Sequence, residues 1–445
     1  MLPDKSDPWA NGQSPGAQVE SSAPPRKTSP RGCGDSKADF CAAIEKGRQD
    51  ELALAQLAAL AESEAVVRAF TCCDPASARA ARDRGDDGPL AHLLFGAKDI
   101  ITTAQFPTRY ASERGEAERS RSDAWCVAAA RRQGAVLLGK TVCTEFANPR
   151  PGPTANPWDP TRTPGGSSSG SAAAVAAGFL SFAFGTQTAG STIRPASYCG
   201  VTGFKPSFGL VPLEGVKALS TTLDHIGLFA RSPRDVWYVL TALVGTKAEI
   251  VEARRPARIL AFELPAEIPQ GDVYRARTDE LMNALRREGV VAECRALPFP
   301  TSDFAGLQKE LCYFEAARLL LRTDDPHVSE EAKTFFGPYL DVDIASYAAA
   351  VRRRLAYRGE FEALAAPYDA VLMPAATGAA PAWHDTGDAV MNRFWTALQA
   401  PAFSVPLWRS ADAMPLGLQM LAGLGRDREL ASIAQWFHEN WCSAA

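Results

Sequence analysis

The sequence predicts an α/β fold, because short apolar strands and amphipathic helices follow one another along most of its 445 residues. The clearest unit is a helix predicted to open at Ser122-Asp123, with Ser122 as N-cap, and to close at Gly134. The apolar run Ala135–Gly139 that follows is typical of a buried strand. Hydrophobic residues make up 46% of the chain and charged residues 22%, which indicates a globular protein rather than a disordered one.

Residues 1–37 differ from the rest of the chain. They contain six Pro, four Gly and six Ser, with few large apolar residues, and are predicted to form a disordered tail. We find no internal repeat and no long linker after residue 37, so residues 38–445 are expected to form one domain. The leucine spacing in Ala38–Glu62 predicts a helix. Further strands are predicted at His92–Ala97, Ala370–Met373 and Phe403–Leu407, and further helices at 232–244, 273–288, 305–322, 343–365 and 427–441.

Charge, targeting and cysteine patterns exclude several classes of protein. Lys and Arg number 47 against 51 Asp and Glu, which argues against nucleic-acid binding through a basic surface. The first residues have no apolar signal region, and the longest weakly polar run, Ala172–Phe184, is too short to span a bilayer. The ten cysteines include no C-x-x-C pair, so neither a zinc site nor a redox site is indicated. We therefore expect a cytoplasmic protein with no membrane, nucleic-acid or metal partner.

The segment 164–197 departs most from average composition. Residues 165–171 are all Gly or Ser, a run typical of a flexible linker, yet they lead directly into a helix-forming, alanine-rich run. This context favours a structured loop at a functional site. A phosphate-binding P-loop would need Gly-Lys-Ser/Thr, whereas residues 170–172 are Gly-Ser-Ala.

Two serine-based interpretations stay open from the residues alone. Gly166–Gly170 matches the G-x-S-x-G elbow with Ser168 as nucleophile, but three prolines in 156–164 replace the required strand, and none of the five histidines lies in a distinctive motif. Alternatively, a buried neutral lysine can deprotonate a hydroxyl. Lys98, which ends the apolar run at 93–97, is the candidate, although a lysine at a strand end is more commonly solvated.

Several motifs in order resemble the amidase signature family of serine hydrolases. They include FGAKDI around Lys98, GKTVCTEFA at 139–147, PGGSSSGSAAAVAAG at 164–178, GTQTAGSTIRPAS at 185–197 and GFKPSFGLVP at 203–212. The resemblance extends from about Val66 to the C-terminus. It implies a large mixed central β-sheet with helices on both faces, hydrolysis of a linear amide through an acyl-enzyme, and no cofactor.

The family's Ser-cisSer-Lys triad can be carried over residue by residue. The resemblance implies Lys98 as base, Ser167 as the cis serine and Ser191, 24 positions later, as nucleophile. The cis peptide bond would then join Gly166 to Ser167. The oxyanion hole would use backbone N–H groups of Thr188, Ala189, Gly190 and Ser191.

Two departures from the family pattern affect the expected substrate. Gln187 stands where many members carry an acid, and Ile193 stands where many carry an arginine. The form is similar to a malonamidase-like subset, and we hypothesise that Arg194 holds a substrate carboxylate; a purely structural arginine stays open.

The resemblance leaves the activity open among related amide-cleaving reactions. The expected activity is an amidase acting on a small amide, with a homodimer as one expected assembly. Alternatives are the A-type subunit of a glutamine-dependent aminoacyl-tRNA amidotransferase and a hydrolase of biuret- or allophanate-like urea derivatives. Tyr110, Phe146 and Trp395 are candidate lining residues, with core packing an equal alternative.

Overall fold

The computed structural model describes residues 40–83, 87–112, 117, 119–145, 151–245, 247–322 and 325–442. The predicted N-terminal tail, residues 1–37, lies outside these ranges, as does Phe146. No helix within the described ranges combines the length and the apolar character that crossing a bilayer requires.

One mixed sheet forms the centre of the described chain. Its eleven strands lie in the order β1-β3-β2-β4-β6-β5-β10-β11-β9-β7-β8. Strand β2 is parallel to β3 and β4, and β7 is parallel to β8 and β9, while the remaining pairs are antiparallel. The bounds are β1 Phe70–Cys73, β2 Leu94–Lys98, β3 Val136–Thr141, β4 Phe182–Gln187, β5 Thr202–Lys205, β6 His225–Ala230, β7 Arg258–Glu263, β8 Val291–Ala296, β9 Ala370–Pro374, β10 Ala402–Arg409 and β11 Pro415–Leu421.

Thirteen α-helices are described around this sheet. They are α1 Phe40–Glu45, α2 Gln49–Val67, α3 Pro75–Asp83, α4 Trp125–Arg132, α5 Ser169–Ala176, α6 Ile193–Cys199, α7 Pro233–Val244, α8 Asp272–Arg287, α9 Thr301–Leu321, α10 Glu330–Phe336, α11 Ile344–Ala365, α12 Val390–Ala397 and α13 Asp427–Trp441. A 3-10 turn at Gly337–Leu340 follows α10.

Helices cover both faces of the sheet, which explains why its central strands are apolar at every position. In β2, Leu94 packs in the same core as residues of α2 and α5, whereas Phe95 packs in a separate core with residues of α4 and α7. Neighbouring side chains of a strand point to opposite faces, so burial of both residues requires cover on both sides. The predicted α/β class with a large mixed sheet is confirmed.

Two details of the predicted helices are wrong. The helix expected over Ala38–Glu62 is divided into α1 and α2, because the chain turns at Gly47 with a φ of 63°, a conformation that glycine adopts without steric cost. The helix expected to open at Ser122 begins at Trp125 with Ala124 as N-cap. Asp123 instead accepts a hydrogen bond from the backbone N–H of Ala104 at 2.7 Å.

The topology brings three distant segments to one edge of the sheet. Strands β2 and β4 are parallel neighbours, with Ala97 opposite Phe184, so their carboxyl ends lie together. The end of β2 carries Lys98, and the loop after β4 leads through Ser191 into α6. The Gly/Ser segment before α5 lies beside them, and a site can therefore be assembled at this edge.

Candidate active site

Lys98 is fully buried at the end of β2 and its amine contacts two hydroxyls. The Nζ atom donates to Ser167 Oγ at 2.6 Å and to Thr186 Oγ1 at 2.8 Å. Burial lowers the pKa of Lys98 from 10.5 to about 8, and the charge of nearby Asp224 opposes part of this shift. A neutral amine that can accept a proton is thus accessible near neutral pH.

Ser167 lies in the Gly/Ser loop that precedes α5. The peptide bond between Gly166 and Ser167 is cis, at the position that the resemblance implied. Gly165 has a φ of 81°, and a Cβ atom there would lie 2.9 Å from Pro195 Cα at the start of α6. Only glycine fits both the backbone angle and this close approach, so the small residues bring the loop against α6.

Ser191 lies between β4 and α6, in a loop that the side chain of Gln187 holds in place. Gln187 Oε1 accepts from the backbone N–H groups of Thr192 at 2.9 Å and Ile193 at 3.0 Å, and its Nε2 donates to Thr396 Oγ1 at 2.9 Å. The uncharged amide of Gln187 therefore stabilises the first turn of α6. According to the resemblance, many members of the amidase signature family carry an acidic residue at this position.

The carbonyl groups of the 188–190 loop are all bonded, while the neighbouring N–H groups are left available. Thr188 O accepts from Gln308 Nε2 at 3.0 Å, Ala189 O from Thr396 Oγ1 at 2.6 Å, and Gly190 O from Arg194 N at 3.0 Å. Among the hydrogen bonds that the described residues form, none uses the N–H groups of residues 189–191. Such a fixed loop with available N–H groups can bind an oxyanion.

Asp224 links the same loop to residues 219–220 through hydrogen bonds. Its carboxylate accepts from Thr188 Oγ1 at 2.5 Å and from the backbone N–H groups of Leu219 at 2.8 Å and Ser220 at 2.9 Å. Burial raises the pKa of Asp224 to about 6, although these hydrogen bonds favour the charged form.

Ser167 and Ser191 line the same open cavity of about 710 Å³, together with Thr188, Ala189 and Arg194. Ser191 is 7% exposed and Ser167 is 2% exposed, so both serines are buried apart from the surface that they present to this cavity. The structure therefore brings together the three residues of the implied triad: Lys98 contacts Ser167 directly, and Ser191 shares the cavity with Ser167.

Arg194 contributes to the cavity in two ways. Its Nη2 donates at 2.7 Å to the carbonyl of Gly166, which belongs to the cis peptide group. Its Nε is buried and has no hydrogen-bond partner among the described residues. Burial lowers the pKa of Arg194, and the nearby Arg393 lowers it further. The Arg194 side chain thus makes one structural hydrogen bond and keeps a donor that has no partner among the described residues.

The elbow interpretation finds less support in this geometry. Ser168 is fully buried, and its hydroxyl lies 3.3 Å from both the carbonyl and the N–H of Thr186. No strand precedes the Gly/Ser loop within residues 151–168, and none of the described histidines lines the cavity. The candidate lining residues Tyr110 and Trp395 are 4% and 0% exposed and belong to the packed cores.

Other residues of the site were not predicted from the sequence. Thr186 lies in the motif GTQTAGSTIRPAS at 185–197 and Asp224 in LDHIGLFARSPRD at 223–235, but nothing in these motifs marks either residue as a partner of Lys98 or of the loop. Gln308 and Arg393 come from α9 and α12, where no motif draws attention to them. Within the described ranges, no group of three or more His, Cys, Asp or Glu side chains is arranged to hold a metal ion.

Comparison with known proteins identifies the family. The model of the Amidase family matches residues 51–273, a range that includes Lys98, Ser167, Ser191 and Arg194. The chain is 32% identical over 412 residues to the A-type subunit of the glutamyl-tRNA(Gln) amidotransferase of Koribacter versatilis (strain Ellin345), covering 78% of this chain and 85% of that relative. The chain belongs to the amidase family. The predicted resemblance is thereby confirmed, and the family is one of amide-hydrolysing enzymes.

Two further comparisons define how far the similarity extends. This amidase-family chain is 44% identical to the corresponding amidotransferase subunit of Roseiflexus castenholzii (strain DSM 13941 / HLO8), over 44% of this chain. That alignment spans only 42% of the relative's length. A solved crystal structure of an amidase superimposes with a TM-score of 0.80 at 27% identity, covering 91% of this chain and all of the other.

Proposed function

We propose that this chain is an amidohydrolase that cleaves a linear amide through an acyl-enzyme on Ser191. The observation that carries the proposal is the buried 2.6 Å contact between Lys98 Nζ and Ser167 Oγ, because Ser167 lines the same cavity as Ser191. The pKa of Lys98, lowered to about 8, supports a base that exchanges protons with a hydroxyl.

The proton path follows from the order of these groups. Ser191 Oγ attacks the amide carbonyl and passes its proton to Ser167, which passes its own to neutral Lys98. The developing oxyanion is stabilised by the N–H groups of the 188–191 loop, of which one donor typically contributes about 3 kcal/mol to lowering the barrier. The proton then returns through Ser167 to the leaving nitrogen, and water hydrolyses the acyl-enzyme by the same path.

A substrate carboxylate is the second part of the proposal. Arg194 lines the cavity, and its guanidinium group forms no ion pair among the described residues, so a substrate carboxylate can pair with it. Arg194→Lys keeps one donor for Gly166 O but removes the planar pair of donors. We expect it to raise KM for acidic amides more than for neutral ones. An equal effect on both would contradict the carboxylate role.

Peptide-mapped mass spectrometry after treatment with a fluorophosphonate probe tests the nucleophile. We expect an adduct on Ser191 in the wild-type protein and in Ser168→Ala, and its loss in Ser191→Ala. An adduct on Ser168 would refute the triad. Ammonia release from a panel of small amides, measured on the same samples, then tests turnover.

The named relatives favour one second candidate, an A-type subunit of a glutamine-dependent aminoacyl-tRNA amidotransferase. This function predicts ammonia release from glutamine and copurification with partner proteins. Gln187 and Ile193 depart from the residues that many family members carry, which favours the first candidate. Hydrolysis of biuret- or allophanate-like acids would also use Arg194 and belongs in the same substrate panel.

A further inference from the structure

The cavity beside Ser191 contains two chemically different regions beyond the serines and their loop. One is cationic and consists of Arg194 from α6 and Arg393 from α12. The other is aromatic and consists of Tyr313 from α9 with Phe335 and Phe336 from α10. A ligand that fills the cavity has to match both regions.

The cationic region presents two guanidinium groups to the cavity, and no carboxylate is among the described residues that line it. Arg393 Nη1 pairs with Asp388 Oδ1 at 2.8 Å, and the Arg393 side chain is 19% exposed whereas that of Asp388 is 47% exposed. Arg194 forms no ion pair with a carboxylate among the described residues. Burial and the proximity of Arg393 lower the pKa of Arg194, while the charges of Asp388 and Asp385 oppose part of this shift. Neither aspartate lines the cavity, so a ligand there meets the two guanidinium groups and no carboxylate, which favours an anionic ligand.

The aromatic region is held in place by contacts among its own rings. The ring centroids of Tyr313 and Phe335 lie 5.2 Å apart, those of Phe335 and Phe336 4.9 Å apart, and those of Tyr313 and Phe336 6.0 Å apart, all close to perpendicular. Edge-to-face packing of this kind fixes the rings, so the apolar surface does not have to form upon binding.

We infer that the substrate is the half-amide of a dicarboxylic acid that also carries an aromatic group. Arg393 joins Arg194 in binding the carboxylate, and the Tyr313–Phe335–Phe336 cluster binds the aromatic group while the amide reaches Ser191. This inference rests on the proposed amidohydrolase function and deepens it: Arg393 and the aromatic cluster become determinants of specificity, and a very small acid would leave the aromatic cluster unused.

Four primary amides separate the two features: 2-benzylmalonamic acid has both, malonamic acid has only the carboxylate, 3-phenylpropanamide has only the ring, and propanamide has neither. For the wild-type protein we expect kcat/KM for 2-benzylmalonamic acid to exceed that for each of the other three amides at least tenfold. A smaller advantage over any of the three would overturn the inference.

Two variants test the assigned residues. Arg393→Gln is expected to lower kcat/KM for the two acids at least tenfold more than for the two neutral amides, mainly through KM. Phe335→Ala is expected to remove most of the advantage of the ring-bearing substrates. Arg353→Gln is the matched control, because Arg353 also pairs with a carboxylate, Glu310 at 2.6 Å, but does not line this cavity. Equal losses on all four substrates would overturn the roles of Arg393 and Phe335.

Fluorophosphonate labelling on the same samples distinguishes failure of the inference from failure of the proposed function. If Ser191 is labelled and some amide is hydrolysed but the preference is absent, only the substrate inference is wrong. If Ser191 is not labelled and no amide of the panel is hydrolysed, the amidohydrolase function itself is wrong.

Discussion

Thr186 offers the most direct test of Lys98 as the base, because it contacts the lysine without lining the cavity that holds Ser191. Its Oγ1 accepts from Lys98 Nζ at 2.8 Å in a buried setting. The protonated amine depends on this acceptor more than the neutral amine does. In Thr186→Val the charged form loses about 1.5 kcal/mol of hydrogen bonding, which corresponds to about one pH unit. We therefore expect the pKa of Lys98 to fall by about one unit from its value of about 8.

The assay is the pH profile of kcat/KM for a neutral amide between about pH 5.5 and 9.5. Because only neutral Lys98 accepts the proton, wild-type activity should rise about tenfold per pH unit below the pKa of about 8 and level off above it. Activity of Thr186→Val should level off about one pH unit earlier. At about pH 6 the fraction of its maximal activity that the variant retains would then be about ten times the fraction that the wild type retains.

Thr108→Val is the matched control. Thr108 Oγ1 accepts from Lys140 Nζ at 2.7 Å, the same kind of contact with a second fully buried lysine that has no bond to Ser167. We expect a lower melting temperature and an unchanged pH profile. A loss in Thr186→Val by the same factor at every pH, or an equal shift in both variants, would refute Lys98 as the titrating base.

Two further substitutions probe the ion pair beneath the site and the oxyanion loop. Lys140→Met removes the partner of the buried Asp99 carboxylate, which lies 3.0 Å from Lys140 Nζ. We expect the free energy of unfolding to fall by about 3–5 kcal/mol. In thermal melts, the Asp99→Asn, Lys140→Met double variant should recover most of this loss. Gly190→Ala places a Cβ atom 2.4 Å from Asn392 Oδ1, so the loop has to move. We expect kcat to fall by about 10²–10³-fold while the circular dichroism spectrum stays that of the wild type. An unchanged kcat would argue against the oxyanion role of the loop.

The fold could be predicted from the sequence where hydrophobic periodicity was strong. Strands β2, β3 and β9 were each located to within two residues, because both faces of these strands are buried and their apolar runs are continuous. The division of the first helix at Gly47 was missed because a single glycine within a helical pattern does not by itself predict a break. The order of the eleven strands depends on long-range pairing that no local pattern encodes.

The site likewise contains residues that local motifs predict and contacts that depend on long-range packing. Lys98, Ser167 and Ser191 lie in distinctive local motifs, so their positions followed from the resemblance. The contacts of Thr186 with Lys98 and of Gln308 with Thr188 O join segments that are 88 and 120 residues apart. Arg393 and the aromatic surface of the cavity come from α12, α9 and α10, whose helical pattern does not reveal which face lines a cavity.

Gln187 is an uncharged residue in the loop that carries Ser191, and it offers a test in the opposite direction. The buried carboxylates near Lys98 have partners of their own: Asp99 pairs with Lys140, and Asp224 accepts three hydrogen bonds. Burial lowers the pKa of Lys98, the charge of Asp224 opposes part of this shift, and the neutral Gln187 adds no charge of its own.

Gln187→Glu keeps an acceptor for the N–H groups of Thr192 and Ile193 but adds a buried negative charge next to Thr186, the residue that binds Lys98. A nearby negative charge favours the protonated amine, so the pKa of Lys98 should rise and the pH profile should move to higher pH. Gln187→Met, which adds no charge, controls for loss of the cap. With Lys98 as the base, the profiles of Gln187→Glu and Thr186→Val have to move in opposite directions. If both move the same way, a group other than Lys98 sets the pH dependence.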